Sequence, residues 1–205
     1  IRAAKTALRK QIRAVLAAHP LDPKIAQKMA SNVTALQEWK SASAVSIFLS
    51  MPHEVDTTPL VRAAFAAGKR VYIPCIVGAA DLAAAFPGSP PPPPPNPAKV
   101  MAMVQLASEE DLATMPLDAW SIPTPTDPLT TRAVASSTLT GVAEPLDLVV
   151  MPGVAFDTTT GARCGYGKGF YDTWLAAHVP ATVPRVAFAR SCQCVASVPL
   201  EPHDL

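Results

Sequence analysis

Apolar residues open the chain at helical spacing. Leu8, Ile12, Val15 and Leu16 share one face of residues 2–18, the pattern of an amphipathic helix. Arg2, Lys5, Arg9 and Arg13 run beside that face as a basic ridge, which by itself reads as a solvated helix edge. A second helix is expected from Asp22 to Trp39, with Pro23 suited to its first turn. The period then changes. AVSIFLS, Ala44 to Ser50, is the near-continuous apolar run of a strand covered on both faces. After MPHEVDTTPL, the next helix has Asp56 or Thr57 as its cap, Pro59 in its first turn and Gly68 as its stop. RVYIP, Arg70 to Pro74, completes a strand–helix–strand unit, which implies parallel pairing and a right-handed crossover. LDLVVMP, Leu146 to Pro152, and RVAFA, Arg185 to Ala189, are two further buried strands. A glycine-rich loop and a short helix from Phe170 to Ala177 lie between them. This alternation predicts a layered α/β fold.

Pro90 to Pro95 interrupt the pattern, within a proline-rich segment at about 86–98. Six prolines in a row form a stiff polyproline II rod that joins neither helix nor sheet. The segment reads as an exposed insertion, with docking to an SH3- or WW-type groove as its functional alternative. The length of 205 residues, 49% of them hydrophobic, supports one domain over residues 1–205 with a sizeable core. A net charge of +1 supplies no general field for nucleic acid or an anionic membrane, so any anion must be gripped locally. No stretch of about twenty apolar residues would span a bilayer. Cys75, Cys164, Cys192 and Cys194 contain only one close pair and complete no zinc site, which fits a reduced, cytoplasmic protein. The chain begins at Ile1 rather than Met, as a chain trimmed at its start would, and a mitochondrial location stays open.

The densest chemistry is GARCGYGKGFYD, Gly161 to Asp172. Phosphate binding needs several backbone N–H groups aimed at one point, and glycine permits the dihedrals and the close approach. Gly165, Gly167 and Gly169 alternate with Tyr166 and Lys168 between a buried strand and a helix, whose N-terminus adds positive potential. Arg163 and Lys168 supply cations, and Asp172 is placed to hold Mg²⁺ against phosphate oxygens. The spacing is neither a Walker A loop nor a dinucleotide fingerprint, and a plain glycine loop remains an equal reading. A second cluster follows the first strand. Met51 offers a soft wall to a flat ring, and Glu54 and Asp56 accept hydrogen bonds from ring N–H groups, unless Asp56 only caps its helix. Trp120, before a proline-rich turn, either stacks on an aromatic ligand or fills the core.

Taken in order, these blocks resemble the 5-formyltetrahydrofolate cyclo-ligase (methenyltetrahydrofolate synthetase) family. KTALRKQIR resembles its opening helix, and SIFLSMPHEVDTTPL its first strand and substrate loop. KRVYIP, MAMVQLASEEDL and WSIPTP resemble its central blocks, and LDLVVMPGVAFDTTTGARCGYGKGFYD its signature. The resemblance implies a three-layer α/β/α fold with a mainly parallel sheet. It also implies an ATP- and Mg²⁺-dependent ligase of folate one-carbon metabolism. By the same resemblance, ATP would phosphorylate the N5-formyl oxygen of 5-formyltetrahydrofolate, N10 would attack the one-carbon unit, and phosphate would leave with 5,10-methenyltetrahydrofolate and ADP as co-products. Aligning the two substrates and neutralising developing charge would be the protein's task.

The resemblance carries these roles to named positions. Lys5, Thr6, Ala7, Leu8 and Arg9 match the N-terminal ATP contacts, and Arg163, Cys164, Gly165, Tyr166, Gly167, Lys168, Gly169, Phe170 and Tyr171 match the nucleotide loop. Lys168 is the catalytic candidate for γ-phosphate stabilisation. Arg9, Met51, Glu54, Asp56, Trp120 and Tyr166 to Phe170 match folate contacts, while Asp172 and Asp204 match the Mg²⁺ carboxylates. The chain departs from the family at Cys75, where a basic residue is usual and Lys99 is a substitute, at the proline-rich insertion, and at its end on Leu205. A monomer acting on small molecules, without nucleic acid or membrane, is the expectation. Two other readings remain: a sugar-phosphate isomerase or transferase using the loop for a substrate phosphate, and a scaffold presenting the polyproline rod to a partner.

Overall fold

The computed structural model describes residues 1–19, 21–88, 98–136, 139, 145–201 and 204; Pro90 to Pro95, His203 and Leu205 lie outside them. In chain order the elements are α1 (Arg2–Ala18), α2 (Pro23–Ala35), α3 (Gln37–Ser41), β1 (Ala44–Ile47), α4 (Thr58–Ala66), β2 (Arg70–Gly78), α5 (Ala79–Ala85) and β3 (Lys99–Leu106). They continue with α6 (Glu109–Thr114), α7 (Pro128–Thr131), β4 (Val134–Ala135), β5 (Leu148–Met151), β6 (Ala155–Asp157), β7 (Arg163–Cys164), α8 (Phe170–His178), β8 (Arg185–Ala187) and β9 (Cys194–Val195). The helix expected from Asp22 to Trp39 is two helices, because Leu36 turns extended at φ −64°, ψ 147°.

Strands β4-β3-β2-β1-β5-β8 form the central sheet. β1 pairs in parallel with β2 and β5, and β5 with β8, while β3 and β4 add an antiparallel edge. The strand–helix–strand unit read from sequence is therefore β1–α4–β2. β2 runs four residues past Pro74 and pairs with β3 from Val71↔Leu106 to Gly78↔Lys99. Pro74 is tolerated there because the pairing of β2 to β1 ends at Tyr72, so its missing N–H breaks no ladder on that side.

Alternation along the strands sorts the core into two layers. Val45, Ile47, Val71, Ile73, Val104, Leu148 and Val150 face the cluster built with α2 and α4. Ala44, Tyr72, Met103, Val149 and Met151 face Trp174 and Leu175 of α8 on the other side. The fold is thus α/β/α in three layers. A second sheet, β7-β6-β9, lies beside it. Ile12, Leu8 and Leu16 of α1 pack there on Val154, Ala155, Cys164 and Val198. That contact uses the apolar stripe of α1 and leaves its basic ridge beside the glycine loop.

Candidate active site

The glycine loop leaves β7 and enters α8, so it is held between the small sheet and a helix packed on the large one. Gly167 (φ 94°) and Gly169 (φ 72°) lie in the left-handed region, where a side chain is strained. A Cβ at Gly167 would also stand 3.3 Å from Cζ of Arg9. Arg9 reaches across from α1 and its Nε donates to the Gly165 carbonyl at 2.7 Å. Gly165 leaves room for the Arg163 guanidinium, since a Cβ there would meet Nη1 at 2.7 Å. Arg163 Nη2 donates to Asp172 Oδ1 at 2.6 Å, yet its Nε is buried without a partner. The Tyr171 hydroxyl is likewise buried and unsatisfied, with the Arg163 guanidinium 5.8 Å from its ring centre. Burial pushes the Tyr171 phenol up despite that cation. Two donors without acceptors in one loop are costly unless a ligand oxygen or water completes them. Lys168 is exposed, with no hydrogen bond or ion pair among the described residues.

Lys5 is the buried member of the basic ridge, 5% exposed. Its ammonium donates to Asp204 Oδ1 at 2.6 Å and Glu201 Oε2 at 3.0 Å. Burial alone would lower its pKa, but these two carboxylates outweigh it and hold the ammonium above its ordinary value. Asp172 and Asp204 are thus both ion-paired to cations of the same region. Among the described residues, no cluster of three or more His, Cys, Asp or Glu side chains is placed to hold a metal. Thr6 turns its hydroxyl back to the Arg2 carbonyl at 3.0 Å, Ala7 is exposed, and Leu8 belongs to the small core. Cys164 is buried, and burial raises its thiol pKa.

A shallow, open cleft adjoins the loop. Its floor comes from the carboxyl ends of three neighbouring parallel strands. Phe48 follows β1, Gly153 follows β5 and Phe188 follows β8, with the two rings edge to face at 6.3 Å. Ligands of open α/β sheets sit at such strand ends. Glu54 lines the cleft, accepting the Met51 amide at 2.8 Å and the Tyr166 hydroxyl at 2.5 Å. Burial raises the Glu54 carboxyl above its usual value, against the pull of those hydrogen bonds. The same burial, with the charge of Glu54, raises the Tyr166 phenol. Tyr166 therefore ties the glycine loop to the cleft.

The remaining expected contacts stand apart from this lining. The Asp56 carboxylate is exposed and accepts the Thr58 amide at 2.9 Å, one residue before Thr57, the N-cap of α4. Trp120 is 50% exposed, on a turn held by Asp118, whose Oδ1 accepts the Trp120 and Ile122 amides. Cys75 is buried in β2 opposite Ala102, its thiol pushed up to about 12 by burial. The cation whose field reaches that thiol is Arg132; Lys99 lies exposed at the start of β3, opposite Gly78. Phe48, Phe188, Arg190 and Gln193 line the cleft without having been singled out in the sequence. The signal of Phe48, Phe188 and Arg190 was positional, since each lies within three residues of the carboxyl end of a parallel strand, whereas Gln193 lies six residues past β8.

Residues 1–205 match the 5-formyltetrahydrofolate cyclo-ligase family. The chain belongs to that family. A mouse 5-formyltetrahydrofolate cyclo-ligase is 30% identical over 210 residues, covering 100% of this chain and 91% of the mouse protein. The protein of that name from Escherichia coli K12 is 30% identical over 166 residues, 80% of this chain and 74% of its own. Among solved structures, a 5,10-methenyltetrahydrofolate synthetase from Aquifex aeolicus superposes with a TM-score of 0.67 at 24% identity, covering 98% of this chain and 85% of the other. One from Mycoplasma pneumoniae gives 0.61 at 18% identity, over 98% and 93%. Both bear out the three-layer fold. As a cyclo-ligase family member, the chain carries the signature loop and the cleft on one connected surface. No helix among the described residues is long and apolar enough to cross a membrane.

Proposed function

We propose that this chain catalyses the ATP- and Mg²⁺-dependent closure of 5-formyltetrahydrofolate to 5,10-methenyltetrahydrofolate, releasing ADP and phosphate. The observation that carries the reading is the Tyr166–Glu54 hydrogen bond, which joins a glycine loop fit for phosphate to a cleft fit for a flat heterocycle. The residues present suit both groups. The orphaned Arg163 Nε and Tyr171 hydroxyl are donors awaiting oxygen acceptors, and the α8 N-terminus adds positive potential. Asp172 and Asp204 are the hard oxygen donors that Mg²⁺ takes in small number, leaving its other positions to water and phosphate. When bound, the ion would neutralise charge developing on the transferred phosphoryl group.

In this reading Lys5, Arg9, Arg163 and Lys168 bind the triphosphate and Lys168 stabilises the γ-phosphoryl group. Glu54, with Met51 beside it, orients the substrate ring so that the formyl oxygen faces that phosphorus. The formyl oxygen forms a bond to phosphorus as the bond to ADP breaks. N10 then attacks the formyl carbon and releases its proton to solvent, and the carbon–oxygen bond breaks with phosphate as the leaving group. Each carboxylate assigned to the metal is ion-paired with a cation assigned to the phosphates.

The test is the rise of methenyl absorbance on mixing protein, 5-formyltetrahydrofolate, Mg²⁺ and ATP, with ATP or Mg²⁺ omitted in parallel. A rise only in the complete mixture is expected. Lys168→Ala should lower turnover at least a hundredfold, on the scale of losing one transition-state charge contact, with the melting temperature unchanged because the side chain is exposed. A rise without ATP, or wild-type turnover by Lys168→Ala, would remove the loop from the mechanism.

A further inference from the structure

The cleft carries a cation that has no counter-charge among the described residues. Arg190 lines the cleft and is half-buried. Its Nη2 donates to the His19 carbonyl at 2.8 Å. No carboxylate lies within ion-pair distance of it among the described residues. A guanidinium presents five N–H donors in a rigid fork matched to a carboxylate, and the other four are not engaged by protein acceptors among the described residues. Its backbone is fixed. Gln193 Oε1 accepts the Arg190 amide at 2.9 Å, while Gln193 Nε2 donates to the Gly153 carbonyl at 2.8 Å. The arginine is thereby stapled to the corner that forms the cleft floor.

The cleft is polarised along its length. Glu54 stands past the end of β1 and Arg190 past the end of β8, with β5 between them. Two strand spacings separate those ends by roughly 10 Å, and both side chains extend the span. The Phe48–Phe188 pair, from the ends of the same two strands, lines the cleft with them. The complementary ligand has N–H donors at one end, a flat ring in the middle and an anion at the other. 5-Formyltetrahydrofolate has that order: a pteridine with amidine-type N–H groups, an aminobenzoyl ring, and a glutamate with two carboxylates. We infer that Arg190 is a specificity-determining residue that takes a glutamate carboxylate of the folate, with Glu54 facing the pteridine. The inference rests on the proposed cyclo-ligase activity.

The experiment compares 5-formyltetrahydrofolate with 5-formyltetrahydropteroate, which lacks the glutamate, on the wild type, Arg190→Gln and Arg190→Lys. The wild type should show a KM roughly tenfold higher for the truncated substrate, the scale of one charge-assisted hydrogen bond in a half-open site. Arg190→Gln should raise KM by a similar factor for the full substrate alone, with kcat and the KM for ATP unchanged. Arg190→Lys should recover part of the loss. Equal effects of Arg190→Gln on both substrates would reduce Arg190 to a structural role and overturn the inference. The wild-type comparison needs no variant to fold: no discrimination between the two substrates overturns the inference by itself. Failure of the wild type to turn over either substrate would instead sink the cyclo-ligase reading beneath it, a result separable from discrimination lost in an active enzyme.

Discussion

Lys5→Met isolates the charge cluster that closes α1 onto the end of the chain. Methionine keeps the apolar stem and removes the ammonium that donates to Asp204 and Glu201. The side chains of Lys5, Asp204 and Glu201 are 7%, 9% and 28% exposed. Removing one partner of a fully buried pair costs about 3–5 kcal/mol. Glu201 can turn to water, and Asp204 Oδ2 keeps the Glu201 amide at 2.5 Å, so about 2 kcal/mol is the better figure here after discounting for solvent. For a chain of this length each kcal/mol moves the melting temperature by about 2–4 °C, which puts the expected fall near 4–8 °C. Urea unfolding at pH 7 gives the free energy directly, provided the slope m is unchanged. Asp204→Asn and the double variant complete a cycle, whose coupling should be about 1–2 kcal/mol because the groups are in contact. Additive losses, or a Lys5→Met protein within about 0.5 kcal/mol of wild type, would refute the view that this pair holds α1 in place.

Other expectations follow from burial and charge. With a thiol reagent at pH 8, Cys192 and Cys194 should react in the native protein, whereas Cys75 and Cys164 should react only after unfolding; fast native labelling of Cys75 would contradict its place in the β2 core. Burial lowers the pKa of His178, so the unfolded chain binds the proton first and stability should fall as pH drops below about 6.5. A His178→Gln variant that still folds should lose that component, and an unchanged pH profile would count against it. Asp111 forms a two-pronged ion pair with Arg132 at 2.5 and 2.6 Å, and that guanidinium holds its carboxyl below the usual range. Its contribution is present above about pH 4 and lost as pH falls further. Asp111→Asn should cost about 1–3 kcal/mol at pH 7, and the difference from wild type should shrink in acid urea titrations.

Much of the fold was legible because its strands are covered on both faces. A run such as AVSIFLS admits few other readings, and the β1–α4–β2 crossover followed from it. The length of β2 was not legible, because Pro74 reads as a stop unless the neighbouring ladder is known to end at Tyr72. The small sheet was missed for a related reason. β7 and β9 have two residues each, too few to show any period, and they exist because α1 covers them. The loop's cations and glycines were visible as a pattern, but the orphaned donors on Arg163 and Tyr171 are products of three-dimensional burial.

The least legible part of the site is also the part that joins its halves. Phe48, Glu54, Tyr166, Phe188 and Arg190 come from segments up to 142 residues apart, and only the order β1-β5-β8 brings them together. That order also divides the labour. The small sheet and α1 hold the phosphate-type loop, the large sheet's strand ends hold the ring-type cleft, and Tyr166 links them by a hydrogen bond to Glu54. Tyr166→Phe removes that link while keeping the ring that meets His53 edge to face at 6.3 Å. Glu54 would then stay buried with one acceptor oxygen unpartnered, and a group hydrogen-bonded as an anion becomes harder to ionise when that bond is lost. The acid limb of the KM profile for the folate substrate should therefore move to higher pH in Tyr166→Phe, while the KM for ATP stays within about twofold, the scale of a lost contact that ATP does not share. An acid limb that stays in place would mean that the Tyr166 hydroxyl neither tunes Glu54 nor couples the two halves.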